Sequence, residues 1–119
     1  MIETHPFEPF VPKNTRYLIL GSFVGKEAVT DPAYDWYYGT KRNQFWLILE
    51  MVYGVELSSK QVKQVLLERL QTGIADIILR CERKAGSNLD ANLEVIEYNP
   101  GITEIFEGNI IETVFFTSR

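Results

Sequence analysis

The chain has 119 residues, 45% of them hydrophobic and 24% charged; that is enough for one packed domain of the usual ~100 to 150 residues, too short for two, and unlike a disordered chain. One cysteine and one histidine exclude an internal disulfide and a structural zinc or iron–sulfur cluster, and no run approaches the roughly 18 apolar residues of a membrane span, so a reduced, cytoplasmic protein without metal or cofactor is expected. A net charge of −4 argues against a long-range electrostatic grip on nucleic acid, which needs clustered Lys and Arg.

Residues Thr4 to Lys13 hold prolines at 6, 9 and 12, which forbid a regular helix and predict an extended arm pinned by Phe7 and Phe10. Tyr17 to Leu20 is a short apolar run stopped by Gly21, the pattern of a strand buried on both faces in a parallel sheet. From Gly21 to Arg42 glycines, Asp31 and Pro32 break every period, so a long loop with one helical turn near Lys26 is predicted, and such loops are usually functional. Asn43 then opens Phe45 to Tyr53, apolar almost all round and closed by Gly54. This predicts a buried central helix with an Asn cap and a Gly stop.

Ser58 and Gln61 have capping-box spacing. Val62, Val65, Leu66 and Leu70 follow at helical intervals until Gly73, with Lys60, Lys63 and Glu68 toward water. Ile74 to Leu79 is β-branched and apolar and predicts a second buried strand, and polar Arg80 to Asp90, with Gly86 and Ser87, predicts a loop. Asn99 and Pro100 start a short helix that Gly108 ends, and Thr113 to Thr117 is again strand-like. The alternation predicts one α/β domain over residues 1–119: three layers, a mostly parallel central sheet with helices on both faces, and ligands outside the carboxyl ends of the strands.

Two segments could carry chemistry. Gly21-Ser22-Phe23-Val24-Gly25-Lys26 leaves the first strand where a phosphate loop would sit, but three residues separate its glycines and Glu27 follows Lys26. A Walker loop needs four, and a Ser or Thr after the lysine for magnesium. The simpler reading is a turn whose glycines allow φ > 0. In Tyr37-Tyr38-Gly39-Thr40-Lys41-Arg42-Asn43-Gln44-Phe45-Trp46, Asn43 can cap a helix whose aromatics are core. Alternatively Tyr38 is a stacking platform worth ~1 to 3 kcal/mol per base, with Lys41 and Arg42 for phosphates. Spacing leaves both readings open.

Together these segments resemble a known family. A strand ending in Gly21-x-x-x-Gly25, followed by Tyr38-x-x-x-x-Asn43-x-Phe45-Trp46, is similar to the uracil-DNA glycosylase superfamily, especially its mismatch-specific and hypoxanthine-directed branches. Gly73-Ile74-Ala75-Asp76, then Cys81-Glu82-Arg83 with Ser87 and Asp90, resembles the hypoxanthine branch, and Phe115-Phe116-Thr117-Ser118 sits where that family has a later strand. The resemblance covers roughly residues 5 to 119.

The resemblance implies a DNA glycosylase that flips out a deaminated base, uracil or hypoxanthine, and hydrolyses its N-glycosidic bond during base excision repair. DNA with a deaminated or mismatched base is the implied partner, with no membrane and no metal. Asn43 and Ser22 fall at catalytic positions. On this reading the base stacks on Tyr38, backbone amides from Gly21 to Phe23 meet its carbonyl edge, Asp76 either reads its polar rim or is a buried hydrogen-bonded strand residue, and Lys41 and Arg42 face the DNA backbone. Two departures stand out. Phe23 occupies the place where the family usually has an Asp or Asn for water, and losing such acid–base help costs about 10² to 10⁴ in rate, so slow turnover is expected. The family also continues past this last strand into a His or Pro-Ser loop, so a C-terminally incomplete domain is expected. The same fold could instead serve as a non-catalytic nucleobase or nucleic-acid binding module, or as a small nucleotide-binding domain using Gly21 to Lys26.

Overall fold

A computed structural model describes residues 2–25, 35–39, 43–84 and 93–117. Their order is β1 (Ile2–Thr4), β2 (Tyr17–Gly21), α1 (Phe45–Tyr53), α2 (Lys60–Arg69), β3 (Thr72–Asp76), β4 (Ile78–Arg83), β5 (Leu93–Tyr98), α3 (Gly101–Gly108) and β6 (Thr113–Phe116). β2 lies between β3 and β6 and pairs with both in parallel. β4 lies between β1 and β5 and pairs with both antiparallel.

The parallel sheet is covered on both faces, and the alternation of side chains along β2 shows how. Ile19 joins Ile74, Trp36, Tyr37, Trp46, Leu57, Leu66 and Leu67 in a cluster on the α1 and α2 side. Leu18 and Leu20 join Ala75 and Ile105 on the α3 side. The continuous apolar run of β2 is therefore what a strand buried on both faces needs. The three-layer arrangement is present, but only half of the strands belong to the parallel sheet, so "mostly parallel" does not describe the whole chain.

The reason lies at Ile77. Its N–H donates to Gly21 O at 2.8 Å and its carbonyl accepts from Asn99 N at 2.7 Å, while Ile78 N donates to Ser22 O at 2.9 Å. The chain leaves the β2 ladder there, and the apolar stretch read as one strand over Ile74 to Leu79 serves two strands in two sheets. Residues 80–83, expected in a loop, continue as β4. Leu93–Tyr98, to which the sequence reading assigns no element, forms β5, and Ile2–Thr4 adds an edge strand before the proline arm. Phe10 holds the arm by exchanging backbone hydrogen bonds with Ile74, both at 2.9 Å.

Local signals also shift. Ser59 rather than Ser58 caps α2, accepting from Val62 N at 3.3 Å. That helix ends at Arg69, and the chain turns through Gln71 at φ 52°, leaving Gly73 inside β3. Gly54 ends α1 at φ 63° with its N–H on Glu50 O, as expected. α1 itself is not buried: of its residues only Trp46 is. Leu47, Ile48, Met51 and Val52 form an exposed apolar face. Nine residues of mostly apolar character cannot reveal which side a sheet will cover.

Candidate active site

Parallel pairing of β2 with β3 puts Gly21 opposite Asp76 at the carboxyl ends of the two strands, where ligands of open α/β sheets bind. Asp76 is 4% exposed. Its Oδ2 accepts from His5 Nε2 at 2.7 Å, so the carboxylate is desolvated but paired, as burial requires. A Cβ on residue 21 would stand 2.5 Å from Asp76 Oδ1, 2.9 Å from Thr117 Oγ1 and 3.0 Å from the Tyr38 hydroxyl. Only glycine lets these three groups converge on the backbone.

Tyr38 reaches this point from a strained backbone. Its φ is 56°, a left-handed conformation costing a bulky residue about 1 to 2 kcal/mol. The ring is held by stacking on Phe45 at 4.5 Å and 26°, and the hydroxyl lies 2.6 Å from Thr117 Oγ1. Thr117 continues β6, its N–H donating to Leu20 O at 3.1 Å. Strain of this kind persists where surrounding structure over-determines it, and it clusters at functional sites.

The turn after β2 is fastened as well. Gly21 and Ser22 carbonyls accept from Ile77 and Ile78. Arg83, its side chain 4% exposed, pairs with Glu3 through Nε at 2.9 Å and Nη2 at 3.2 Å, and Nη2 also donates to Val24 O at 2.9 Å. Phe23 lies under this guanidinium at 5.8 Å and edge-on to His5 at 5.5 Å. It has no proton to exchange, and its ring builds the wall of the site. Tyr37, 2% exposed, packs on His5 at 5.4 Å. Burial, then the charge of Asp76, pushes its phenol well above the ordinary tyrosine range.

Gly21, Phe23, Tyr38 and Asp76 are therefore brought together, and Ser22 sits in the same turn. Asn43 approaches from the Tyr38 side: its Oδ1 accepts from Phe45 N at 2.9 Å, but the cap residue of α1 is Gln44, which makes no side-chain cap bond, and Asn43 lines a cleft of about 220 Å³ with Tyr38, Trp46, Glu50 and Lys63. Lys41 and Arg42 lie outside the described residues. Lys63, expected to face water, is instead 7% exposed, with Nζ 5.2 Å from the Trp46 ring and 3.5 Å from Asp35 Oδ1.

His5, Arg83 and Thr117 are the contributors that no local pattern singles out as site residues. The only signal for His5 was a lone histidine in a proline-rich arm. Among the described residues no group of three or more His, Cys, Asp or Glu could hold a metal ion. The arrangement packs one held carboxylate and two hydroxyls onto the buried Gly21 backbone; a carboxylate accepts from an N–H and a hydroxyl can donate to a carbonyl.

No protein-family model matches the chain. A curated hypoxanthine DNA glycosylase from Methanosarcina barkeri is 32% identical over 95 residues, 78% of this chain and 57% of that protein. The chain thus spans little more than half the length of this relative. The solution NMR structure of a candidate uracil DNA glycosylase from Methanosarcina acetivorans aligns with a TM-score of 0.70 at 25% identity, over 98% of this chain and 70% of that one. Similarity of sequence to the one and of fold to the other places the chain in the uracil-DNA glycosylase superfamily.

Proposed function

We propose that this chain forms the base-recognition part of a DNA glycosylase that removes a deaminated base, uracil or hypoxanthine, from flipped-out nucleotides. The observation that carries the reading is the convergence of Asp76, Tyr38 and Thr117 on Gly21. Uracil and hypoxanthine each present a lactam edge, an N–H beside a carbonyl. A carboxylate accepts from the first and a hydroxyl donates to the second. A base in a duplex cannot reach this place, so the nucleotide must swing out at a cost of a few kcal/mol, least for a mismatched pair.

Hydrolysis breaks the bond from C1′ to the base nitrogen and forms one from C1′ to water oxygen, the water's proton ending on the departing base. Charge developing on that base is stabilised by fixed donors rather than by a loop carboxylate, with Ser22 and Asn43 as the nearest candidates and Lys41 and Arg42 on the phosphates. With Phe23 in the acid's place, turnover is slow.

The test uses duplexes carrying one uracil, hypoxanthine or xanthine. The expected result is abasic sites, revealed as strand cleavage in alkali, at uracil or hypoxanthine, with folded Asp76→Ala and Asn43→Ala variants slower. If the folded Asn43→Ala variant excised as fast as the parent, Asn43 would have no catalytic part. A second reading is favoured by one observation: Phe23, in the loop acid's place, has no proton to exchange and packs against His5 and under Arg83. It makes the chain a non-catalytic nucleobase or nucleic-acid binding module, which would retard the same DNA and leave no abasic sites.

A further inference from the structure

The N-terminal arm delivers a buried group to the site from far away in sequence. His5 and Asp76, 71 positions apart, are joined by a 2.7 Å contact from Nε2 to Oδ2, with side chains 3% and 5% exposed. A carboxylate only accepts, so Nε2 carries the hydrogen. With that hydrogen on Nε2, Nδ1 accepts from Phe7 N at 3.1 Å. The imidazole is wedged among Phe7, Phe23 and Tyr37 at centroid distances of 5.9, 5.5 and 5.4 Å, and its own backbone N–H is fixed on Leu79 O at 2.7 Å. These contacts restrain the ring, and its Nε2 hydrogen holds Oδ2.

We infer that His5 is the positioning residue for Asp76. By tying back Oδ2 it leaves Oδ1, packed against Gly21, as the oxygen that would accept from the lactam N–H of a flipped base. The inference rests on the proposed glycosylase function. Its chemical consequence is discrimination: cytosine and adenine carry a lone pair on the ring nitrogen where uracil and hypoxanthine carry N–H, and a fixed carboxylate repels it. An Asp76 free to rotate could swing this oxygen away and accept an exocyclic amino group instead. His5 thus acts on base choice and on the rate of excision, not on the grip of the DNA backbone.

The experiment compares His5→Phe, which keeps the aromatic packing and removes the Nε2 hydrogen, with His5→Gln, whose amide can still donate to Oδ2. Single-turnover excision of uracil and hypoxanthine is measured beside the Kd for the same duplex carrying a non-cleavable 2′-fluoro nucleotide. The expected result for His5→Phe is a rate roughly tenfold or more lower, the loss usual for a hydrogen bond to a charged group, with Kd within about threefold of the parent and part of the rate restored in His5→Gln. An undiminished rate in His5→Phe, or a His5→Gln variant no better than it, would overturn the inference. A second measurement does not need activity: the ¹H–¹⁵N imidazole spectrum of the parent should show a slowly exchanging, downfield Nε2 proton that Asp76→Ala abolishes, and its absence from the folded parent would also overturn the inference. A parent that makes no abasic sites yet shows this proton would defeat the glycosylase reading alone.

Discussion

Gly21 and Asp76 face each other across the β2–β3 ladder, and Asp76 Oδ1 lies 2.5 Å from where a Cβ on residue 21 would stand. The carboxylate cannot simply step aside, because His5 holds its other oxygen. Gly21→Ala is therefore expected to displace Asp76 and the Tyr38 hydroxyl together and to lower stability by about 1 to 3 kcal/mol, the usual cost of forcing a methyl into packed space. Urea unfolding measures the loss of stability, and slower excision of uracil relative to the parent measures the displacement.

Arg83 joins Glu3 of β1 to the carbonyl of Val24. Glu3→Ala would leave a nearly buried guanidinium without its carboxylate, at a cost of about 3 kcal/mol. Replacing both, Glu3→Ala with Arg83→Met, is expected to cost less than the sum of the singles, because each single already breaks the same ion pair. A double-mutant cycle in urea decides this, and strict additivity would mean the pair is not coupled.

Tyr37 shapes stability at high pH. Its phenol is raised above 10.0 by burial and by Asp76, so the folded chain keeps a proton that the unfolded chain releases above about pH 10. The unfolded state then binds fewer protons, and stability should fall by up to about 1.4 kcal/mol per pH unit from this residue. Below pH 9 the contribution is flat. Tyr37→Phe should remove this part of the alkaline slope in unfolding curves recorded between pH 8 and 12.

Cys81 is fully buried in β4. Burial first, then Glu3, raises its thiol, with Arg83 opposing. Since the thiolate is the reactive form, iodoacetamide at pH 8 should label the native chain at least about tenfold more slowly than the urea-unfolded chain. Mass spectrometry of quenched samples reads the difference.

The two sides of α1 should respond differently. Trp46 is 6% exposed and stacked on Trp36 at 5.9 Å, so Trp46→Ala should cost about 3 to 5 kcal/mol. Met51 is 84% exposed, and Met51→Glu should stay within about 0.5 kcal/mol of the parent. Thermal melts of both variants check the contrast.

What was legible from residues alone was local. The apolar run Tyr17 to Leu20 stopped by Gly21, the Gly54 stop, the proline arm with its Phe anchors and the Phe45-Trp46 helix start all carry their physics within a few positions. The grouping of Gly21, Tyr38 and Asp76 came instead from the resemblance, and strand register sets Gly21 opposite Asp76. The missed strands were different. β1 has three residues, and β5 alternates with Ile96 outward and Glu97 inward, so neither has a clean period.

Tertiary structure alone decided the partners. Whether Ile74 to Leu79 is one strand or two depends on the Gly21 turn and Asn99 each taking one backbone group of Ile77. Whether α1 is covered on one side or all round depends on where the sheet ends, and the apolar residues of that helix look alike in sequence. His5 meets Asp76, and Arg83 meets Glu3, across separations of 71 and 80 positions. Such pairings follow from sheet register and chain reversal, which set distances that no spacing along the chain encodes. Hydrophobic pattern and turn chemistry act between near neighbours and determine the elements, whereas a buried charge finds its counterpart only after those elements have packed.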